Sequence, residues 1–218
     1  ESVAQHTFAM LFYLLEKLPY YDRYVKDEKY IGDKMFTHFD KHFGELAKMT
    51  WGIIGLGNIG RRVADIAKAF GCRVIYYSTS GRNSQPGYER VSFEELLKES
   101  DIVSVHAPLD ENTLDLMNKE AFHQMKKTAI FLNLGRGPIV VEEDLAEALE
   151  QGEIAAAGLD VLRVEPMSPE NPLRRIKDSE KLLITPHIAW ASVEARTRLM
   201  EIICGQIQEF FSNGSPES

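Results

Sequence analysis

The sequence is poor in cysteine and in long apolar runs. Only two cysteines occur among 218 residues, Cys72 and Cys204, each in an apolar stretch and without a CxxC partner. This number excludes a disulfide framework and predicts buried free thiols in a reducing cytoplasm. The longest apolar run has eight residues, 8–15, whereas a helix that spans a bilayer needs about 20. The sequence therefore predicts no membrane span.

Net positive charge and low-complexity tracts are also lacking. Lys and Arg number 25 against 33 Asp and Glu, which gives a net charge of -8. We therefore predict neither nucleic acid nor a membrane surface as a partner, and an anionic ligand must be held by local features. The chain begins at Glu1 rather than Met and enters a helical pattern almost at once, so we expect a fragment of a longer protein.

Short apolar runs recur at a regular interval from residue 51 onward. The runs are WGII at 51, RVIYY at 73, DIVSV at 101, AIFLN at 129, AAAGL at 155 and LLIT at 182. Amphipathic segments such as RRVADIAKAF and EEDLAEALEQG lie between them. Because parallel neighbouring strands need a crossover of about a dozen residues or more, this spacing predicts an α/β fold, a doubly wound parallel sheet with helices on both faces.

A glycine-rich segment lies between the first predicted strand and the helix predicted at residues 61–70. It reads Gly55-Leu56-Gly57-Asn58-Ile59-Gly60 and matches GxGxxG in a strand, turn and helix context. The first glycine permits a tight turn, the second lets a pyrophosphate approach the backbone, and the third lets helix and strand pack closely. The segment predicts a dinucleotide-binding Rossmann fold over residues 49–190.

The end of the second predicted strand bears on the choice between NAD and NADP. An acidic residue there would bind the ribose 2′-hydroxyl, but this chain has Ser78, followed by Thr79, Ser80 and Arg82. These side chains offer donors and a positive charge, and they tolerate a 2′-phosphate. A polar turn with an incidental arginine explains the same residues, so both cofactors stay open.

Three charged or titratable residues follow successive late strands. Arg136 comes after FLNLG, Glu165 after GLDVLRV and His187 after LLITP. Ligands of open α/β sheets bind outside the carboxyl ends of the strands, so these side chains are predicted to converge on one crevice. Singly, they have ordinary interpretations as a surface charge, a loop carboxylate and a packing histidine. Together they indicate an acid–base residue, its orienting carboxylate and a guanidinium for an anionic substrate.

The chain resembles the D-isomer-specific 2-hydroxyacid dehydrogenase family through four ordered segments: GLGNIG, NLGRGPIVVEEDLAEAL, AAAGLDVLRVEP and LLITPHIAWAS. The resemblance implies that Arg136 binds the substrate carboxylate and carbonyl, that His187 is the acid–base residue, and that Glu165 pairs with it. It implies NAD or NADP as cofactor and a small 2-keto or 2-hydroxy acid as substrate. The segment containing Trp190 is more similar to glycerate dehydrogenases and hydroxypyruvate reductases than to D-lactate dehydrogenases, although lactate, 2-hydroxyisocaproate and phosphoglycerate analogues stay open.

The resemblance also implies a set of cofactor contacts. Asp160 would lie beside the nicotinamide carboxamide, and Leu134 and Gly135 would offer backbone groups to the nicotinamide ribose. The other implied contacts lie in the glycine-rich segment, after the second predicted strand and in the turn after the third. They are Gly55, Gly57, Asn58, Ile59, Gly60, Ser78, Thr79, Arg82, Ala107, Pro108 and Thr113.

Other histidines have weaker functional interpretations. His106 is a rival acid–base residue, but it precedes Ala-Pro on the adenosine side, which favours packing or cofactor contact. His38 and His42 have i,i+4 spacing, yet no third ligand or HExxH pattern accompanies them, so they predict no metal site.

The two flanks are expected to belong to an incomplete substrate domain. The family builds that domain mostly from residues before the helix that resembles SVAQHTFAMLFYLL. Residues 1–48 are expected to contain this helix and a connecting, dimerising segment, and residues 191–218 a C-terminal helix that returns to the missing domain. We expect a homodimer that binds dinucleotide but, as this chain alone, turns over substrate poorly.

A non-enzymatic function is the alternative. Relatives of this family include transcriptional corepressors that use the fold as a dimeric scaffold, and fold alone does not decide between the two. A dinucleotide-sensing interaction protein therefore stays open. A short-chain reductase is disfavoured because the YxxxK pairs precede the first strand, and a P-loop enzyme because the glycine-rich segment lacks Lys-Ser/Thr.

Overall fold

The computed structural model describes residues 1–82 and 84–212. Residues 213–218, the end of the expected C-terminal region, lie outside the described residues. The strands of the described chain are β1 Thr50–Ile54, β2 Arg73–Tyr77, β3 Glu89–Arg90, β4 Ile102–Val105, β5 Ile130–Asn133, β6 Ala156–Leu159 and β7 Leu182–Ile184. Its α-helices are α1 Ser2–Leu15, α2 Leu18–Lys26, α3 Asn58–Ala69, α4 Phe93–Glu99, α5 Lys119–Gln124, α6 Glu142–Gln151 and α7 Val193–Ser212. None of these helices is long and apolar enough to cross a membrane.

The strands form one parallel sheet in the order β3-β2-β1-β4-β5-β6-β7. The doubly wound parallel sheet is therefore confirmed, with every apolar run forming a strand. The order reverses between β1 and β4, and open α/β sheets bind ligands at such a point. The sequence pattern missed β3, which consists of the exposed residues Glu89 and Arg90. Arg73 of β2 holds this edge through a 2.7 Å ion pair with Glu89.

Helices cover both faces of the sheet, as the sequence predicts. The helices α4, α5 and α6 pack on one face, where Phe122 and Phe131 meet edge to face with their centroids 5.4 Å apart. The helices α1 and α3 pack on the other face around the wholly buried Trp51. The indole N–H of Trp51 donates to Ser104 Oγ at 2.8 Å. Burial of each large apolar side chain contributes about 1.5–3 kcal/mol to stability.

Local sequence signals mark the ends of two helices. Ser92 Oγ accepts the N–H of Glu95 at the start of α4, and Gly152 ends α6 in the left-handed region with φ 69°. The helix after the glycine-rich segment begins at Asn58, three residues before the predicted start, because Gly57 is its N-cap residue.

The flanks differ in how they pack. Helix α1 lies against β5, β6 and α3, whereas α7 has no buried residue. Burial raises the pKa of the Cys72 thiol to about 11, but Cys204 on α7 is exposed. The expectation that both thiols are buried is therefore wrong for Cys204, because no described element covers its helix.

Candidate active site

The three glycines of the glycine-rich segment have different structural needs. Gly55 has φ 90°, and a Cβ there would lie 2.8 Å from the backbone of Ala107. A Cβ on Gly60 would lie 2.2 Å from the carbonyl oxygen of Gly55. The fold therefore requires glycine at both Gly55 and Gly60. By contrast, a Cβ on Gly57 would meet nothing within 4 Å, so the fold gives no reason for glycine at this position.

The start of α3 at Gly57 suits an anionic group. Gly57 is the N-cap of α3, where backbone N–H groups without helical acceptors and the positive end of the helix dipole favour an anion. Asn58 and Ile59 are exposed in the first turn of α3. Asn58 Oδ1 accepts from Arg61 Nη2 at 2.6 Å, which adds a positive charge beside this end of the helix.

The loop after β2 lies beside the glycine-rich segment, since the N–H of Gly55 donates to the carbonyl of Tyr77 at 3.0 Å. Ser78 is buried at the end of the strand, Thr79 is half-buried and Arg82 is exposed. The loop contains a cation and hydroxyl groups near the place of an acidic ribose ligand, and residues 78–82 include no carboxylate.

The turn after β4 packs against the glycine-rich segment. Ala107 is buried against Gly55, while Pro108 is exposed. Thr113 is fully buried; its hydroxyl donates to the carbonyl of Pro108 at 2.8 Å and accepts the N–H of Asp110 at 2.8 Å. Thr113 therefore supports the shape of the turn from inside.

Asn133 shapes the turn that presents Arg136, and the sequence analysis missed it. It is wholly buried at the end of β5; its Oδ1 accepts the N–H of Gly135 and its Nδ2 donates to the carbonyl of Arg136, both at 3.0 Å. Leu134 is buried, whereas the Arg136 side chain is exposed and donates to the carbonyl of Gly135 at 2.8 Å. The only sequence signal for Asn133 was its place in the NLGRG segment.

A close backbone contact brings the Arg136 turn against the loop after β6. A Cβ on Gly137 would lie 1.9 Å from the carbonyl group of Leu162, so only glycine fits there. The N–H of Leu162 in turn donates to Glu165 Oε1 at 2.7 Å. These contacts place the loops of Arg136 and Glu165 side by side.

The side chains of Glu165 and His187 meet directly. Glu165 Oε2 lies 2.7 Å from His187 Nδ1, so Nδ1 carries the proton and donates it, and Nε2 lies on the other side of the ring. Burial acts to raise the pKa of Glu165, but the Leu162 N–H, the His187 ring and the charge of Arg136 outweigh it, so this pKa lies below its ordinary value. Arg136 and His187 therefore both act on the Glu165 carboxylate, at the carboxyl ends of β5, β6 and β7.

Asp160 organises the loop that carries His187. It is buried; its Oδ1 accepts the N–H of Ile188 and its Oδ2 accepts the N–H of Ala189, both at 2.9 Å. Its carbonyl accepts the N–H of His187 at 2.8 Å. These bonds hold His187 in the left-handed region with φ 54°, a conformation that costs an L-residue about 1–2 kcal/mol.

A cavity of about 480 Å³ adjoins the Glu165 and His187 pair. Asp160, Leu162 and Met167 contribute to its wall, which is largely apolar apart from the carboxylates and the imidazole. Arg136 does not line this cavity.

The remaining histidines lie in other surroundings. Burial lowers the pKa of His106 to about 4, and its Nε2 lies 3.1 Å from Ser104 Oγ. A neutral ring of this kind suits packing better than proton donation near neutral pH. His38 stacks on Tyr24 and contacts the Tyr20 hydroxyl. Over residues 1–82 and 84–212 no group of His, Cys, Asp or Glu is arranged to hold a metal ion.

Glu142 also shapes the site and was missed. This nearly buried carboxylate in the first turn of α6 accepts the N–H of Arg163 at 2.8 Å and the Asn171 side-chain amide at 2.9 Å. It thereby stabilises the loop that contains Glu165. An acidic residue at a helix start carries no sequence signal for this role.

Comparisons with known proteins match this chain to one family. Residues 8–189 match the family model of the D-isomer specific 2-hydroxyacid dehydrogenase NAD binding domain. The chain is 38% identical to a hydroxypyruvate reductase of Blautia hydrogenotrophica, over 99% of this chain and 66% of that protein, and 39% identical to a glyoxylate reductase of Korarchaeum cryptofilum, over 96% and 63%.

Solved structures agree as well. A D-lactate dehydrogenase of Aquifex aeolicus complexed with NAD and lactic acid superposes with a TM-score of 0.87 at 30% identity, over 98% of this chain and 67% of that one. An acyclic imino acid reductase in complex with NADPH and D-Arg gives 0.84 at 31%, over 97% and 65%. The chain spans about two thirds of the length of the curated relatives it matches. It belongs to the D-isomer specific 2-hydroxyacid dehydrogenase family, of which it contains the NAD-binding domain.

Proposed function

We propose that the whole protein is an NAD(P)-dependent oxidoreductase that interconverts a small 2-keto acid and a D-2-hydroxy acid, with hydroxypyruvate and D-glycerate as the pair. The observation that carries this proposal is the 2.7 Å contact between Glu165 and His187, with the charge of Arg136 acting on the same carboxylate. The nicotinamide, when bound, supplies or accepts the hydride. The substrate pair is supported by the names of two relatives, a hydroxypyruvate reductase and a glycerate dehydrogenase.

His187 is the proposed proton donor for reduction. A carbonyl that becomes an alcohol gains negative charge on its oxygen, and an imidazolium within hydrogen-bond reach neutralises it. Because Nδ1 faces Glu165, Nε2 is the nitrogen available to the substrate oxygen. Glu165 keeps the ring in this orientation.

Arg136 is the proposed anchor of the substrate carboxylate. Its guanidinium is exposed on the turn next to the Glu165 loop, and its planar fork matches a carboxylate adjacent to a ketone. This anchor explains why the substrate class is a 2-keto acid rather than a simple ketone.

The proposed dinucleotide contacts follow the carboxyl ends of the strands. The pyrophosphate lies over Gly57 and the start of α3, where the backbone leaves room. Asp160 lies at the nicotinamide end, together with the turn that contains Leu134 and Gly135. Ala107 and Pro108 lie between the pyrophosphate and the nicotinamide. Ser78, Thr79 and Arg82 lie at the adenosine end, where they favour acceptance of a 2′-phosphate.

A cytoplasmic homodimer is the proposed state of the protein. Support for the dimer comes from residues 27–48, where Ile31, Phe36, Phe39 and Phe43 are exposed, since large exposed apolar surfaces are typical of interfaces. The proposed division is residues 1–48, 49–190 and 191–218. The chain alone is proposed to bind dinucleotide but to turn over substrate poorly, because an open site positions its substrate weakly.

The test is a turnover assay of the whole protein with NADH and NADPH. The panel contains hydroxypyruvate, glyoxylate, pyruvate and 2-ketoisocaproate, with acetone as a control that lacks a carboxylate. We expect the largest kcat/KM for hydroxypyruvate and none for acetone. Turnover of another 2-keto acid in preference would correct the substrate while leaving the reaction class intact.

The second candidate function is a dinucleotide-sensing scaffold. The exposed apolar side chains of α7, among them Ile202, Ile207 and Phe210, favour an interaction role for this end of the chain. Dinucleotide binding by the whole protein without turnover of any 2-keto acid would favour the scaffold over the enzyme.

A further inference from the structure

A line of polar contacts connects α1 with the loop that carries His187. His6 Nε2 lies 3.0 Å from Thr185 Oγ1, and Thr185 Oγ1 donates to Asp160 Oδ1 at 2.6 Å. His6 Nε2 is also 3.6 Å from Asp160 Oδ1. His6 and Asp160 are 154 residues apart in the sequence, so the fold brings together groups that no local motif links.

The available protons determine which group donates in each of these hydrogen bonds. A threonine hydroxyl has one proton, and Thr185 uses it toward Asp160. The contact with His6 therefore requires that Thr185 Oγ1 accepts and that His6 Nε2 donates. His6 thus holds the hydroxyl that completes the shell around the Asp160 carboxylate, and this shell includes the N–H groups of Ile188 and Ala189.

The loop held by this shell is under local strain. His187 has φ 54°, which a residue with a Cβ keeps only when its surroundings enforce it. The Asp160 side chain is only 2% exposed and that of His6 is 20% exposed, so water competes weakly for these bonds. Loss of the His6 donor therefore weakens a largely buried restraint on the loop, not a contact at the surface.

Helix α1 is packed tightly on the sheet, so its side chains can restrain the loop. Its inner side chains Leu11 and Leu14 are fully buried against the sheet. The same helix makes a second contact with the loop, because Ser2 Oγ donates to the carbonyl of Ala189 at 2.6 Å. Two side chains one helical turn apart thus hold the two sides of the His187 position.

We propose that His6 is a positioning residue for the acid–base loop, acting through Thr185 and Asp160 on the orientation of His187. The donor nitrogen of His6 performs this role, not the volume of its ring. This proposal rests on the proposed function for its effect on turnover, but its effect on the loop is independent of any activity.

The first test measures the loop itself. Amide hydrogen exchange is followed at residues 187–189 in the chain, without ligand, for His6→Phe, His6→Gln and Thr185→Val. His6→Phe removes one hydrogen bond and Thr185→Val removes two. His6→Phe is therefore expected to speed exchange there about fivefold to tenfold, and Thr185→Val at least as much, with the β6 amides unchanged. His6→Gln retains a donor and is expected to stay near the original rate. His123→Phe, at an exposed histidine, is the matched control and should leave these amides unchanged.

A double variant separates positioning from packing. If His6 acts through Thr185, the variant His6→Phe with Thr185→Val should exchange no faster than Thr185→Val alone. Three results would each overturn the proposal. These are additive effects of the two substitutions on exchange, unchanged exchange in His6→Phe, and exchange that is equally fast in His6→Phe and His6→Gln. Thr185→Val nearly preserves side-chain shape, so it keeps the test decisive if His6→Phe fails to fold.

The second test uses turnover of 2-keto acids by the whole protein. We expect His6→Phe to lower kcat about tenfold to hundredfold with little change in KM or dinucleotide Kd, because a displaced proton donor affects the chemical step most. His6→Gln should restore most of kcat. An unchanged kcat in His6→Phe would overturn the catalytic part of the proposal. Absence of turnover in the unmodified protein would instead refute the proposed function, and the exchange result would still decide the loop restraint.

Discussion

Glu165 and His187 are joined by a 2.7 Å contact between Oε2 and Nδ1, although 22 residues separate them in the sequence. The other carboxylate oxygen of Glu165 is held by the N–H of Leu162, so the carboxylate is fixed on one side by the backbone and presents its other oxygen to the ring. Gly137 packs on the same Leu162, which ties the position of this pair to the Arg136 turn.

Replacement of Glu165 by Gln is expected to slow reduction. The His187 ring loses the carboxylate that orients it, so kcat at neutral pH should fall about tenfold or more. The measurement is kcat for the keto acid. An unchanged kcat would show that Glu165 does not act through His187. Glu143→Gln, at an exposed carboxylate in an ion pair, is the control.

The same carboxylate gives an expectation for stability at low pH. The pKa of Glu165 is lowered from its ordinary value of 4.5, so the folded state gains stability from this group above that value and loses it as the pH falls through the lowered pKa. Glu165→Gln lacks this dependence. Thermal unfolding from pH 7 to pH 3 should therefore show a slightly shallower loss of Tm in the variant, since solvent screens this part-exposed pair; a steeper loss would contradict the direction of the shift.

Arg136→Lys is expected to weaken substrate binding without weakening dinucleotide binding. Lysine retains the charge but loses the planar fork that binds a carboxylate through two parallel hydrogen bonds. We expect kcat/KM for the keto acid to fall about tenfold to hundredfold, because a charged hydrogen bond contributes about 1.5–3 kcal/mol. Arg62→Lys, at an exposed arginine paired with Glu1, should leave it unchanged. A loss confined to dinucleotide Kd would place Arg136 at the cofactor instead.

Gly57→Ala and Gly60→Ala form a matched pair with opposite outcomes. A methyl group on Gly57 has free space and an ordinary backbone conformation, whereas one on Gly60 meets the carbonyl of Gly55. Gly57→Ala should therefore leave Tm nearly unchanged and weaken dinucleotide binding at least about tenfold, while Gly60→Ala should lower Tm by several degrees. Calorimetry and dinucleotide titration check both. Unaltered binding in Gly57→Ala would remove the pyrophosphate from this position.

Arg82→Gln addresses the choice of cofactor. If Arg82 binds a 2′-phosphate, its replacement should raise the Kd of NADP about tenfold and leave that of NAD unchanged. Ser78→Asp should shift preference toward NAD, because a carboxylate accepts from the ribose hydroxyl and repels the phosphate. Titration with both dinucleotides measures this. Equal changes in Kd for the two cofactors would mean that the loop after β2 does not bind the 2′-phosphate.

Much of the fold was predictable because its signals are local and repeated. Six apolar runs became strands, and their parallel arrangement followed from the length of the crossovers. The edge strand β3 was not predictable, since Glu89 and Arg90 have no apolar pattern and pair only because β2 is beside them. The exposure of Cys204 was missed for a related reason: an amphipathic sequence predicts a helix but not whether anything covers it.

The candidate site was predictable at its charged ends and not in its supports. Arg136, Glu165 and His187 follow strand ends, and strand order brings such ends together. Asn133 and His6, by contrast, act through hydrogen bonds to turns and loops that exist only after folding. A buried amide or a histidine on a helix has an ordinary packing interpretation in sequence, so only coordinates distinguish the support from the core.

The most direct test of the central claim is to compare His187→Gln with the unmodified whole protein. Turnover of hydroxypyruvate and the Kd of the preferred dinucleotide are measured on the same preparations. Loss of the proton donor should lower kcat about a hundredfold to ten-thousandfold while the dinucleotide Kd changes less than about twofold, because His187 lies apart from the pyrophosphate opening at Gly57. Undiminished turnover in His187→Gln would contradict the assignment of this residue as the acid–base group of a 2-keto acid reductase.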